Sequence, residues 1–283
     1  MAKFTNYATL SYNGGTTDSN TVTGELLAAL SMTKTAVMDD YTQKDDVTYV
    51  ISLVNSGTTA VTGLTVTDNL GGYDFGEKTV YPLNYTNGSL RYYVNGVLQS
   101  APEITTGPPL SISGVSIPAG GNVLLIYEAT VTRYAPLGLE ATVTNTATVT
   151  GEGIRQTATA VISMEPGADL SISKALCPVA VTQNGQLTYT FIIENVGSVA
   201  ATASDNAVLT DTFDPKLRTL TVTFNGTPWS EGVNYTYDTE TGLFQTLPGQ
   251  ITVPAAEYYQ KTDGTWAVKP GTVSLIITGT LQV

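Results

Sequence analysis

Residues 4–23 read FTNYATLSYNGGTTDSNTVT, and residues 143–161 read VTNTATVTGEGIRQTATAV. Aligned, they place Phe4 with Val143, Asn6 with Asn145, Ala8 with Ala147 and Leu10 with Val149. In each segment these four residues share one face of an extended chain, and mostly threonines line the other. That period-two alternation predicts a half-buried strand. Asn13-Gly14-Gly15 supplies residues that accept positive φ, as a tight reversal needs, and Ser19–Thr23 forms a second arm. Both segments are therefore β-hairpins. They differ in place: the later one closes a domain, whereas the earlier one comes before any domain begins.

The rest of the chain explains why the place matters. Strand patterns recur along it, and then recur again as a second copy. LSMTK at 30–34 matches LSISK at 170–174, and VTYVISLVNSG at 47–57 matches LTYTFIIENVG at 187–197. LTVTD at 64–68 matches AVLTD at 207–211, and an Asn-Gly turn at Asn95 matches one at Asn225. IPAGGNVLLIYEATVT at 117–132 is answered by VPAAEYY, an insertion, and PGTVSLIITGTLQ. Nothing in the second copy answers ATVTNTATVTGEGIRQTATAVI. Seven or so strands per copy, regularly spaced, predict an all-β protein of two tandem immunoglobulin-like β-sandwiches preceded by a donor hairpin. The expected boundaries are 1–25 for the hairpin, 26–165 for a complete first domain, and 166–283 for a second domain lacking its final hairpin, with the Pro-Gly run MEPGA as linker.

Composition agrees and excludes much else. The 283 residues suffice for two β domains, and Thr, Val, Gly, Ser and Asn dominate. Acidic residues outnumber basic ones by 24 to 12, for a net charge of −12, which argues against nucleic acid or an anionic membrane as partner. The chain has no histidine, the commonest general base and metal ligand. Its single cysteine, Cys177, rules out an internal disulfide framework and leaves an intermolecular disulfide or a plain small residue. No apolar run is long enough to span a bilayer. MAKFTNYATL lacks the apolar region of a signal peptide, so the expectation is a processed form or a protein made without a secretion signal. No cofactor, metal or enzymatic activity is expected.

A sandwich without its last hairpin has an open sheet edge and an uncovered apolar face, a hazard unless something covers it. The N-terminal hairpin carries the complementary pattern, with Phe4, Ala8, Leu10 and Val22 as packing residues. A strand of 7–10 residues spans only about 25–35 Å, so the hairpin is expected to reach the gap of another copy rather than its own. Such a contact is head-to-tail and propagates into an open filament unless the rotation closes a ring. The expected partner is the protein itself.

Three polar residues stand on apolar faces of the first domain. Lys34 shares a face with Leu30 and Met32, Asp68 with Leu64 and Val66, and Asn145 with Val143 and Ala147. In the second, Lys174 and Asp211 hold the equivalent places, and the matching Asn is Asn6 of the hairpin. Burial lowers a lysine pKa and raises an aspartate pKa, and a neutral amine is a nucleophile. One reading is therefore a Lys–Asn isopeptide bond made with loss of ammonia: Lys34 to Asn145 assisted by Asp68, and Lys174 to Asn6 of a neighbour assisted by Asp211. The other is a Lys–Asp ion pair at the sandwich rim, with the Asn satisfying backbone groups.

TYVISLVNSGTTAVTGLTVTDNL, IPAGG and EATVTNTATVT, with TYTFIIENVGSVAA and LTD in the second copy, resemble a bacterial surface repeat module, the conserved-repeat family known as domain of unknown function eleven. The resemblance implies structural units of wall-anchored proteins, adhesins and stalks, located outside the cell. In its compact two-module form it implies a subunit of clostridial spore appendages. Asn84, Asn87, Asn225 and Asn234 lie in glycosylation-type sequons expected by chance in so Asn- and Thr-rich a chain. Asp39, Asp40, Asp45 and Asp46 lack EF-hand spacing and read as a solvated loop. The function expected is a self-assembling filament subunit. The alternatives are a monomeric adhesin module and, more distantly, a carbohydrate-binding accessory domain using Trp229, Trp266, Tyr258 and Tyr259.

Overall fold

The computed structural model describes residues 2–26, 29–183 and 185–281. The chain starts with an exposed hairpin of two short ladders. β1 (Ala2–Asn6) pairs antiparallel with β4 (Val22–Leu26), and β2 (Thr9–Tyr12) with β3 (Gly15–Asp18). Between the ladders, Ala8 N donates to Ser19 Oγ at 2.9 Å and Ser19 N to the Ala8 carbonyl at 2.7 Å. The reversal falls at Asn13-Gly14. Of the three residues expected to supply positive φ, only Gly15 does so, at 147°. β4 runs on through Leu26.

The described residues form two compact units. The first comprises residues up to 39, 44–132 and 143–162, and the second 40–43, 133–142 and 163 onward. The dividing line therefore assigns two short connecting segments, 40–43 and 133–142, to the second unit.

The first unit is a sandwich of two sheets whose long strands pair antiparallel. One sheet runs 97–99, β8 (Arg91–Val94), β10 (Asn122–Val131), β6 (Asp46–Asn55) and β5 (Leu30–Ala36). The other runs 103–105, β9 (Leu110–Ile117), β7 (Val61–Asp68), β11 (Thr142–Gly151) and β12 (Ile154–Met164). Alternate residues face inward, as in any sheet with one covered face. They bury Val47, Tyr49, Ile51 and Leu53 from β6, Leu64 and Val66 from β7, and Val123, Leu125 and Tyr127 from β10. β11 adds Val143, Asn145, Ala147 and Val149, each at most 1% exposed. Asn95-Gly96, with φ of 48° and 78°, makes the two-residue turn that such a pair favours.

The second unit repeats the first sheet closely: β13 (Leu170–Cys177), β14 (Gln186–Asn195), β19 (Gly271–Leu281), β16 (Leu217–Phe224) and 227–229, with the same turn at Asn225-Gly226. Its other sheet has three strands in the order β15 (Thr210–Thr212), β18 (Leu243–Thr246) and β17 (Tyr235–Tyr237). β15 is the counterpart of β7. In the first unit β7 lies between β9 and β11, with Ala147 opposite Asp68. Among the described residues β15 pairs with β18 alone, so the place of β11 is open.

The Asn-x-Gly element of the repeat has a structural job. Asn55 Nδ2 donates to the carbonyls of Thr59 (2.8 Å) and Pro118 (3.0 Å), while its Oδ1 accepts from Gly57 N (3.0 Å). Asn195 does the same with Val199, Pro254 and Gly197. Each buried amide thus ties the loop after one long strand to the Pro turn before its neighbour.

Candidate cross-linking sites

The first unit brings Lys34, Asp68 and Asn145 together in its core. Lys34 comes from β5 in one sheet, and Asp68 and Asn145 from β7 and β11 in the other. Lys34 Nζ donates to Asp68 Oδ2 at 2.6 Å, with both side chains fully buried. Tyr127 Oη donates to the same oxygen at 2.6 Å, and Leu70 N donates to Oδ1 at 3.0 Å. Asn145 Nδ2 in turn donates to Tyr127 Oη at 3.2 Å. The amine and the carboxamide are therefore linked through one carboxylate and one phenol. A rim ion pair, the milder expectation for these residues, does not describe this site, because the pair lies inside the sandwich.

Lys34 Nζ also lies 4.8 Å from the Tyr49 ring centroid and 6.0 Å from that of Tyr127, over rings that are stacked on one another. Burial lowers the Lys34 pKa to about 8, against an opposing pull from Asp68. Burial pushes both tyrosines up, so both stay protonated, Tyr127 as a donor to Asp68. Asn145 Oδ1 and Tyr49 Oη are buried without a hydrogen-bond partner. Orphaned polar atoms in a core are costly.

The second unit holds half of this arrangement. Lys174 Nζ lies 2.5 Å from Asp211 Oδ2, and 4.6 Å and 5.6 Å from the ring centroids of Tyr189 and Phe213. Here the lysine side chain is 42% exposed and the aspartate 18%. Tyr189 holds the place of Tyr49, as the strand registers show, but Tyr127 is replaced by Ile277. Asp211 thus lacks the phenol donor that Asp68 has. β13 is exposed along its length: Ile172 is 57% exposed, and Leu170 is 40% exposed where its counterpart Leu30 is 3%.

Asn6 lies on the hairpin, paired with Val22 and exposed, as are Ala8 and the packing residues Phe4, Leu10 and Val22. Phe4 rests on Gly24, where its ring occupies the space a Cβ would take. Cys177 is free and exposed. No group of three or more metal-ligating side chains gathers among the described residues. Sequence reasoning missed Tyr127 and Tyr49. The available signal was a polar aromatic at inward positions of the two strands next in order to the lysine's, β6 and β10.

No family model matches the chain, and no curated protein matches it in sequence. Solved structures do align with it. One titled BspA_C_WT covers 88% of this chain and 91% of its own, at 12% identity and a TM-score of 0.36. BcpA, the major pilin subunit of Bacillus cereus, covers 95% and 73% at 13% identity and 0.34. The pilus backbone RrgB of Streptococcus pneumoniae covers 86% and 55% at 13% identity and 0.36. At these scores the architecture rests on the chain's own sheets and registers: two tandem immunoglobulin-like β-sandwiches preceded by a hairpin.

Proposed function

We propose that this chain is a structural subunit of an extracellular bacterial filament, on a cell or spore surface. It polymerises head-to-tail by inserting its N-terminal hairpin into the second unit of another copy. One observation carries the reading. The inward residues of β11, all buried, correspond to Phe4, Asn6, Ala8 and Leu10 of an exposed hairpin, and the second unit has no described strand at the matching edge. Burying Phe4, Leu10 and Val22 stabilises the joint by about 1.5–3 kcal/mol each before ordering costs. The repeat motifs resembling conserved-repeat modules, and the two-module form resembling spore appendages, support the location.

The same reading gives the first unit an internal cross-link. Neutral Lys34 Nζ attacks Asn145 Cγ, the Nζ–Cγ bond forms, and the Cγ–Nδ2 bond breaks. A proton passes from Nζ through Asp68 to Nδ2, which leaves as ammonia. The chain acts once, on itself, and turns over no substrate and uses no cofactor.

Electron microscopy of purified protein tests the assembly. The full chain should form filaments, and deletion of residues 2–24 should leave soluble subunits or short aggregates. Ordered filaments from the deleted chain would overturn the reading. Intact mass tests the internal bond: wild type should be lighter than Asn145→Ala, corrected for the substitution, by one ammonia.

A further inference from the structure

The Lys174–Asp211 pair is half of a reactive site whose first-unit counterpart is whole. Besides Ile277 in the place of Tyr127, three differences separate them. Lys34 is buried and Lys174 is not; a carboxamide stands beside Asp68 and none is described beside Asp211; and the strand that carries that carboxamide, β11, has no described equivalent on the β15 edge. All three would be supplied by one event. A hairpin laid along β15 in the register of β11 on β7 sets Ala8 opposite Asp211, as Ala147 lies opposite Asp68. Asn6, two residues earlier on the same face, then takes the place of Asn145. Phe4 and Leu10 take the places of Val143 and Val149, covering the side of the sandwich where Leu170 and Ile172 stand exposed.

We infer that Lys174 and Asp211 form a modification site completed by Asn6 of a second copy, in which docking of the hairpin triggers an intersubunit isopeptide bond. The inference rests on the head-to-tail reading above. The step is balanced without an oxidant or co-reactant. Lys174 Nζ bonds to Asn6 Cγ, Cγ–Nδ2 breaks, and a proton carried by Asp211 from Nζ to Nδ2 lets ammonia leave. Docking gates it in two ways. It brings the electrophile, and it covers an amine whose side chain is 42% exposed in the undocked subunit. The lysine is thus held back until the neighbour that it will bond arrives.

The test uses full chains assembled under reducing conditions, so that Cys177 contributes no cross-link. Wild-type filaments heated in detergent should run as a ladder of subunit multiples, and proteolysis should release a branched peptide joining Asn6 to Lys174, lighter by one ammonia than its two parts. Asn6→Ala and Asp211→Asn should each still give filaments by electron microscopy, yet at least tenfold less of the ladder. Wild-type filaments that dissolve wholly to monomers, with no branched peptide, would overturn the intersubunit bond while leaving head-to-tail assembly standing. Ordered filaments from the chain lacking residues 2–24 would instead remove the assembly reading itself.

Discussion

Tyr127 donates to the Oδ2 of Asp68 at 2.6 Å, the oxygen that also accepts from Lys34. This phenol holds the carboxylate between amine and amide, and it accepts from the amide it helps to place. Tyr127→Phe keeps the ring against Tyr49 but removes both hydrogen bonds. A hydrogen bond to a charged group contributes about 1.5–3 kcal/mol, so the Lys34–Asn145 bond should form at least tenfold more slowly. Intact mass followed over time after refolding reads this directly. An unchanged rate would remove Tyr127 from the chemistry.

The second unit has Ile277 where the first has Tyr127. The bond to Asn6 should accordingly lag behind the internal one in wild type. In a time course, loss of one ammonia per subunit should come before the detergent-resistant ladder. Ile277→Tyr should narrow the gap.

Preventing the internal bond should expose the cost of a buried lysine. In Asn145→Ala, Lys34 keeps a folded pKa near 8 against an ordinary value of 10.5. The unfolded chain then binds more protons than the folded one between those values, so stability rises with pH across the window. The gain should reach about 2–3 kcal/mol by pH 10. Beyond that, ionisation of Tyr49 and Tyr127 in the unfolded chain reverses the slope, because burial raises both in the fold. Wild type, its amine consumed, should lack the rise between pH 8 and 10. Urea titrations at stepped pH compare the two.

Joint strength should follow the apolar hairpin residues. Leu10 stands 64% exposed in the free subunit and replaces Val149, which is fully buried. In the Asn6→Ala background, where assembly stays reversible, Leu10→Ala should weaken each joint by about 2 kcal/mol. The critical concentration should rise about thirtyfold by sedimentation. A change below twofold would mean that this face does not enter a core.

Much of this was legible in the residues, for a physical reason. Alternation along 143–149 reports which side of a strand is covered, and its inward residues are buried; the same alternation along 4–10 lies on an exposed hairpin. Lys34, Asp68 and Asn145 could be singled out because charge and amide break an otherwise apolar period. Tyr127 escaped notice because a tyrosine does not break it; its ring belongs in a core, and only its hydroxyl takes part. The join between the two hairpin ladders at Ala8–Ser19 was also hidden, since it depends on a serine hydroxyl meeting a backbone amide across the hairpin. The depth of the Lys34 pair was unreadable as well, because rim and interior give the same pattern along a strand.

Both lysines sit on the opening strand of a sandwich, Lys34 on β5 and Lys174 on β13. With both bonds made, tension on a filament would enter each subunit at Asn6, follow the chain to Lys34 and cross directly to Asn145. From there it would run to Lys174 and step into the neighbour's Asn6. Residues 35–144, and everything after 174, would hang beside this path as slack loops. Pulling could then lengthen each subunit only by drawing out residues 6–34 and 145–174, while the bypassed loops would carry no load.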